Sequence, residues 1–169
     1  MTASYRTATP ADAEAIDRVF RTSFCETFAH LYRPEDLAAF LEQFTLGAWR
    51  SELTDPTYVL RVAEVDGQVV GYVKLGPLNL PIETSVAAVL LSQLYVLKQH
   101  HGVGIARALM DWALADSRRR GFAEMYLTVF IDNHRARSLY QRYGFEVVGH
   151  YDFMVGSQAD EDVIMRRAL

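Results

Sequence analysis

The spacing of apolar positions changes several times along the chain, and each change marks an element. "YRTAT" is a short β-rich run that predicts a strand. In "TPADAEAIDRVFRTSFCETF" the residues Ile16, Val19, Phe20, Phe24 and Phe28 recur at steps of three and four, which predicts a helix. Thr9 is placed as its N-cap, with Pro10 in the first turn. "RPEDLAAFLEQF" predicts a second helix carrying Leu37, Phe40, Leu41 and Phe44 on one side. "YVLRVAEVDGQVVGYVKLG" alternates on both sides of Asp66-Gly67, the pattern of a hairpin with a tight turn. After a loop with Pro77 and Pro81, the run from Val86 to Leu97 predicts a buried strand. Residues 103–120 return to helical spacing, with Ile105, Leu109, Trp112 and Ala113 inward and Gly121 as the stop. "FAEMYLTVF" predicts a strand, "NHRARSLYQRYGF" a short helix closed by Gly144, and "FEVVGHYDF" and "DEDVIMRRAL" two last strands. Strand–helix–strand through the middle implies a parallel pair joined by a crossover, while the hairpins add antiparallel neighbours. The expected architecture is α/β, a mixed and mostly antiparallel sheet with helices on both faces.

Composition narrows the function. A chain of 169 residues without repeats or polar linkers reads as one domain over 1–169. Half the residues are hydrophobic, 22% are charged, and the formal charge is −4. Only Arg118 to Arg120 gathers positive charge, which argues against a nucleic-acid partner. The longest apolar run is interrupted by Ser92 and Gln93 and is shorter than the ~20 residues of a membrane span. "MTASYRTATP" lacks the apolar core of a signal peptide. A single cysteine, Cys25, rules out an internal disulfide and fits a reducing compartment. A soluble, cytoplasmic protein with no membrane partner is expected.

The chemistry concentrates in "QHHGVG", between the buried strand and the long helix. A P-loop would need a lysine and a hydroxyl that this seam lacks. A dinucleotide fingerprint would need a third glycine where Arg107 stands. Two readings stay open at this level. One is a plain strand–helix turn. The other is a turn whose bare N–H groups, helped by the helix N-terminus, meet a pyrophosphate.

Gln99-x-x-Gly102-x-Gly104 fits the Q/R-x-x-G-x-G/A signature, with "LYVL" before it and an amphipathic helix after it. Downstream, "NHRARSLYQRYGFEVVG" matches a second motif in the right order. In both respects the chain resembles the GCN5-related N-acetyltransferase (GNAT) superfamily. "SFCETFAHLYRPEDLAAFLEQF" and "VGHYDFMVGSQADEDVIM" also resemble its PaiA-like, polyamine-acetylating branch. The resemblance implies the GNAT fold, whose central parallel strands splay apart. It also implies acetyl-coenzyme A as co-substrate and direct acetyl transfer to a primary amine of a small molecule, polyamine or peptide. Homodimer formation is left open.

The same resemblance distributes roles. The carrier would lie between residues 90–97 and 125–130, its pantetheine arm paired with the backbone of Leu94, Tyr95 and Val96. The N–H of Val96 would face the thioester oxygen as oxyanion donor. Gln99, Gly102, Val103, Gly104, Ile105 and Ala106 would cradle the pyrophosphate. Arg107 would add charge there or be a solvated helix arginine. Asn133, Ala136 and Tyr140 share one helical face that could meet the carrier. Asn133 doubles as an N-cap, and Ser138 is a further contact. Tyr140 would protonate the leaving thiolate, a task suited to a phenol. Tyr143 reads as packing.

The base is absent from the expected place. Many relatives carry a glutamate on the central strand, where this chain has Ser92 and Gln93. A water relay, or a carboxylate such as Glu26 or Glu83, would have to serve. Glu26, His30, Tyr32, Glu83 and Ser92 are the acceptor-site candidates. His100 and His101 read as solvent-facing loop residues rather than metal ligands, so no metal is expected. Cys25 reads as a buried small residue. The rivals are an acyl-coenzyme A binding or sensing protein without catalysis, favoured by the missing glutamate, and a nucleotide-binding α/β domain.

Overall fold

The computed structural model describes residues 2–169. Strands β1 (Ser4–Thr7), β2 (Val59–Val65), β3 (Gln68–Pro77), β4 (Ala88–Val96), β5 (Glu124–Phe130), β6 (Glu146–Val155) and β7 (Gln158–Ala168) form one sheet. Their order is β1-β2-β3-β4-β5-β7-β6. Only β4 and β5 run parallel; the other neighbours are antiparallel. The helices are α1 (Ala13–Phe28), α2 (Pro34–Leu41), α3 (Leu46–Thr54), α4 (Ile105–Arg119) and α5 (His134–Arg142).

Alternation along β3 and β2 assigns the helices to faces. Tyr72 and Lys74 point to one side, where Trp49 packs edge-on at 6.1 Å and Glu52 binds Lys74 at 2.8 Å, both from α3. Arg61, the register partner of Val73, points to the other side and lies 5.2 Å over the Trp112 ring of α4. Helices therefore cover both faces, as the alternating and helical periods together require. On the α3 side the core is aromatic: Phe20 of α1 touches Phe24, Phe40, Phe44, Trp49 and Tyr95 at centroid distances of 4.3–6.5 Å.

Local chemistry explains the boundaries. The Asp12 carboxylate accepts the Thr9 N–H at 2.7 Å and both Arg6 guanidinium nitrogens at 2.8 Å, so the first turn is a short 3-10 segment, Pro10–Asp12, before α1. The Asp66-Gly67 turn has φ of 51° and 75°, the left-handed pair that a two-residue hairpin needs. Helix α3 has no counterpart in the sequence reading. It is nine residues long, includes Gly47, and buries only Trp49. Its visible signal is Thr45, whose Oγ1 accepts the Ala48 N–H at 3.0 Å as an N-cap. The central strand starts at Ala88 rather than Val86, and the long helix at Ile105 rather than Val103. The two glycines therefore lie in a loop of their own. Among the described residues no helix is long and apolar enough to cross a membrane.

Candidate active site

Strands β4 and β5 pair only through Ala88–Glu124, Val89–Met125 and Leu90–Tyr126. Past Leu90 they part. The cause lies on the other edge of β4. Lys74 pairs with Gln93 and Leu75 with Leu91, so Ser92 is an extra residue, a bulge that bends and twists the strand. The Leu97 N–H donates to the Val70 carbonyl at 2.8 Å. Antiparallel alternation then gives the Tyr95 peptide to β3 and turns the N–H and C=O of Leu94 and Val96 into the split. Of the three residues expected to offer backbone there, Tyr95 is the exception; its half-buried side chain lines the cavity instead.

The split opens into a cavity of about 1000 Å³. At one end lie Gly102 and Gly104, at φ of +81° and +90°, with open space where a Cβ would stand. Only glycine takes these angles without strain. The first N–H bonded back into the chain after them is that of Ala108, which donates to the Gly104 carbonyl at 3.0 Å. The N–H groups of residues 102–107 have no partner among the described residues, and they sit at the positive end of α4. Lys98, Arg107, Arg135 and Arg142 line this end. The arrangement suits a diphosphate.

His101 is more than a solvent-facing loop residue. Its Nε2 donates to the Val96 carbonyl at 2.7 Å, and Arg135 donates to its Nδ1 at 2.6 Å. Those two partners assign a neutral imidazole with the proton on Nε2. Among the described residues no cluster of His, Cys, Asp or Glu could hold a metal.

Tyr140 sits deep in the split. Its ring packs edge-on against Phe145 at 6.0 Å, and it is 8% exposed. No protein group bonds its hydroxyl among the described residues, and burial pushes the phenol up to about 12. Asn133 caps α5 through Oδ1, which accepts the Ala136 N–H at 3.2 Å, and both residues line the cavity. Tyr143, read as packing, also reaches it while bonding Asp111 at 2.7 Å. Cys25 is half-buried in α1.

The far end of the cavity is acidic and aromatic. Glu26, Tyr32 and Ser92 line it; His30 and Glu83 are exposed and lie outside it. Gln93 uses its amide oxygen to accept the Tyr72 hydroxyl at 2.8 Å, and the Ser92 hydroxyl lies 3.4 Å from the Lys74 carbonyl. Gln99 and its neighbours meet a separate hollow of about 490 Å³, while Val103 and Ser138 are exposed and off the cavity wall. Two residues absent from the sequence reading complete this end. Asp160 and Asp162 stand two apart on β7 and are both buried. Tyr32 donates its hydroxyl to Asp160, and Gln158 adds an N–H at 3.3 Å. Burial raises Asp162 to about 7; Thr128 offsets this in part, and the charge of Asp160 adds to it. Their i, i+2 spacing in "DED" was a usable signal, since a strand puts such residues on one face.

A sheet parted beside a loop of N–H groups without partners among the described residues suits an extended, anionic ligand laid between two strands. Comparisons with known proteins agree. The model of the acetyltransferase (GNAT) family matches residues 16–145. An uncharacterised N-acetyltransferase of Mycobacterium tuberculosis is 33% identical over 159 residues, 94% of this chain and 98% of the relative. The crystal structure of the PaiA N-acetyltransferase of Thermoplasma acidophilum with coenzyme A superposes with a TM-score of 0.80 over the full length of both chains at 22% identity. NAA60 of Arabidopsis thaliana, solved with a bisubstrate analogue, has a TM-score of 0.76 over 99% of each chain at 20% identity. The chain belongs to the GNAT family and is an acetyltransferase.

Proposed function

We propose that the protein moves an acetyl group from acetyl-coenzyme A to a primary amine of a small molecule, a polyamine or a peptide, by direct transfer within the split. The observation that carries this reading is the parting of β4 from β5 beside six N–H groups, at residues 102–107, that have no partner among the described residues. Together these fit a carrier with a diphosphate at one end and an amide-bearing arm at the other. Acetyl-coenzyme A supplies an activated acetyl carbon and a thiol leaving group. The glycine loop holds the diphosphate, with Ile105, Ala106 and the Arg107 guanidinium beside it. The Leu94 and Val96 peptides pair with the arm as an added strand would. The Val96 N–H points into the split, where it stabilises the oxyanion that forms during attack. Tyr140 keeps its proton throughout the neutral range and delivers it to the departing sulfur. The acidic end of the cavity, with Glu26, Asp160 and Asp162, attracts a cationic acceptor.

The test is thiol release from acetyl-coenzyme A across a panel of primary amines, beside coenzyme A binding by calorimetry. Amine-dependent release supports the transfer reading. Tight binding without release on any amine would instead favour a sensor.

A further inference from the structure

The transfer reading leaves one task unassigned: an alkyl ammonium, with an ordinary pKa of about 10.4, must lose a proton before its nitrogen can attack. We propose that Asp162 takes that proton, and that Tyr32 and Asp160 are the positioning pair that leaves Asp162 free to do so. The inference rests on the acetyl-transfer reading above.

Asp160 and Asp162 share a face of β7, yet their surroundings differ. Asp160 is held by the Tyr32 hydroxyl and the Gln158 amide, donors that fix its carboxylate against the 3-10 segment Ala29–Leu31 and the residue after it. Among the described residues Asp162 has no charged partner; the Thr128 hydroxyl of β5 is the group placed to hydrogen-bond its carboxylate. One carboxylate is thus tied down by two donors, while burial and its neighbour's charge favour a proton on the other. The titratable groups facing Asp162 are Asp160 on its own strand, Tyr151 directly opposite on β6, Tyr32 after α1, and Tyr95 on β4. Tyr95, Tyr140 of α5 and Asp162 line the same cavity, so the carboxyl and the sulfur-protonating phenol share one space. Among the described residues no cation neutralises Asp162, and burial raises its carboxyl toward the range where a base is useful. The other carboxylates are worse placed. Glu26 is exposed at the rim, and Glu83 is outside the cavity.

The steps balance. The ammonium gives one proton to a carboxylate oxygen of Asp162 and becomes a neutral amine. Its nitrogen lone pair forms the C–N bond to the thioester carbon, and the carbonyl pair moves to oxygen. Collapse breaks the C–S bond, and Tyr140 protonates the sulfur. The second nitrogen proton passes through water to the Tyr140 phenolate. Asp162 returns its proton to solvent.

The experiment compares the wild type with Asp162→Asn, Asp162→Glu and Glu26→Gln. Thiol release is followed with acetyl-coenzyme A and three probes: spermidine, phenethylamine and an alanine tripeptide. Wild-type kcat/KM should rise to a plateau with an inflection near pH 7. In Asp162→Asn, kcat/KM should fall about 100-fold near neutral pH. The inflection near pH 7 should vanish, leaving a rise that follows the free-amine fraction, toward about pH 10 for the two alkylamines and about pH 8 for the tripeptide. Asp162→Glu should recover part of the loss, Glu26→Gln should keep the inflection, and coenzyme A affinity should be unchanged in all three. An Asp162→Asn enzyme that keeps the inflection, or stays within about threefold of wild type, overturns the proposal while leaving acetyl transfer intact. Carbon NMR of the aspartate carboxyls supplies a readout that needs no turnover. A carboxyl titrating near pH 7 that disappears in Asp162→Asn supports the assignment, and its absence from the wild type overturns it. A wild type that acetylates none of the probes refutes the transfer reading and this proposal with it.

Discussion

Replacing Tyr140 with phenylalanine removes one oxygen atom from a ring that is otherwise packed in place. The ring is 8% exposed and rests on Phe145, contacts that phenylalanine keeps. The lost hydroxyl has no protein partner among the described residues, and its pKa is raised by burial alone. Removing a hydroxyl that bonds no protein group and opens on the cavity leaves no orphaned donor or acceptor behind. Stability should therefore hold or rise by up to about 1 kcal/mol. Chemistry should respond differently. A thiol leaves as an anion with an ordinary pKa of about 8.5, and a donor aimed at that developing charge contributes ~100-fold as a general acid. Tyr140→Phe should thus lower kcat about 100-fold, roughly 2.7 kcal/mol of barrier. Because the phenol stays protonated up to about 12, the deficit should be the same across the neutral range. Coenzyme A affinity and the unfolding midpoint should change little. The assay is thiol release for kcat, with calorimetry and thermal denaturation beside it. A kcat equal to wild type would refute the acid role; matching losses of kcat and stability would refute the claim that the hydroxyl is structurally idle.

Three further outcomes follow from other parts of the molecule. Gly104→Val puts a branched side chain at φ +90°, where nothing lies within 4 Å of the new Cβ, so the cost is backbone strain of about 1–2 kcal/mol and intrusion on the diphosphate; calorimetry should show at least about tenfold weaker coenzyme A binding. Glu52→Gln strands the Lys74 ammonium, which is 7% exposed and lies 5.1 Å over Trp49, and should cost about 2 kcal/mol by urea denaturation, whereas Lys74→Met should be close to neutral. Asp162 binds its proton more tightly folded than unfolded, so its contribution to stability is full below about pH 4 and is lost as pH rises to about 7. Asp162→Asn abolishes that loss, and denaturation at pH 8 against pH 4 should show the variant gaining on wild type by at most about 4 kcal/mol.

How much of this was legible in the sequence depends on the range of the contacts. The Asp66-Gly67 hairpin, the inward face of α1 and the glycine seam are local patterns, and they fold as their spacing implies. The splay of β4 from β5 came from family resemblance, and its cause, the bulge at Ser92, depends on register with β3, which no single strand reveals. Helix α3 escaped because Trp49 alone carries its burial. His101 read as a loop residue because its partners, Val96 and Arg135, lie on β4 and α5. Asp160 and Asp162 were hidden by distance: the Tyr32 bond spans 128 residues of chain. Where a strand glutamate was sought, Gln93 accepts the Tyr72 hydroxyl, and the base proposed above stands on β7 instead.

The central claim is that the parted strands and the glycine loop hold acetyl-coenzyme A. A crystal structure of the protein grown with acetyl-coenzyme A tests it most directly. The account predicts diphosphate oxygens on the N–H groups of residues 102–107, pantetheine amides on the Leu94 and Val96 peptides, and the thioester sulfur beside the Tyr140 hydroxyl. A carrier bound elsewhere, with the split and its loop left to water, would contradict it.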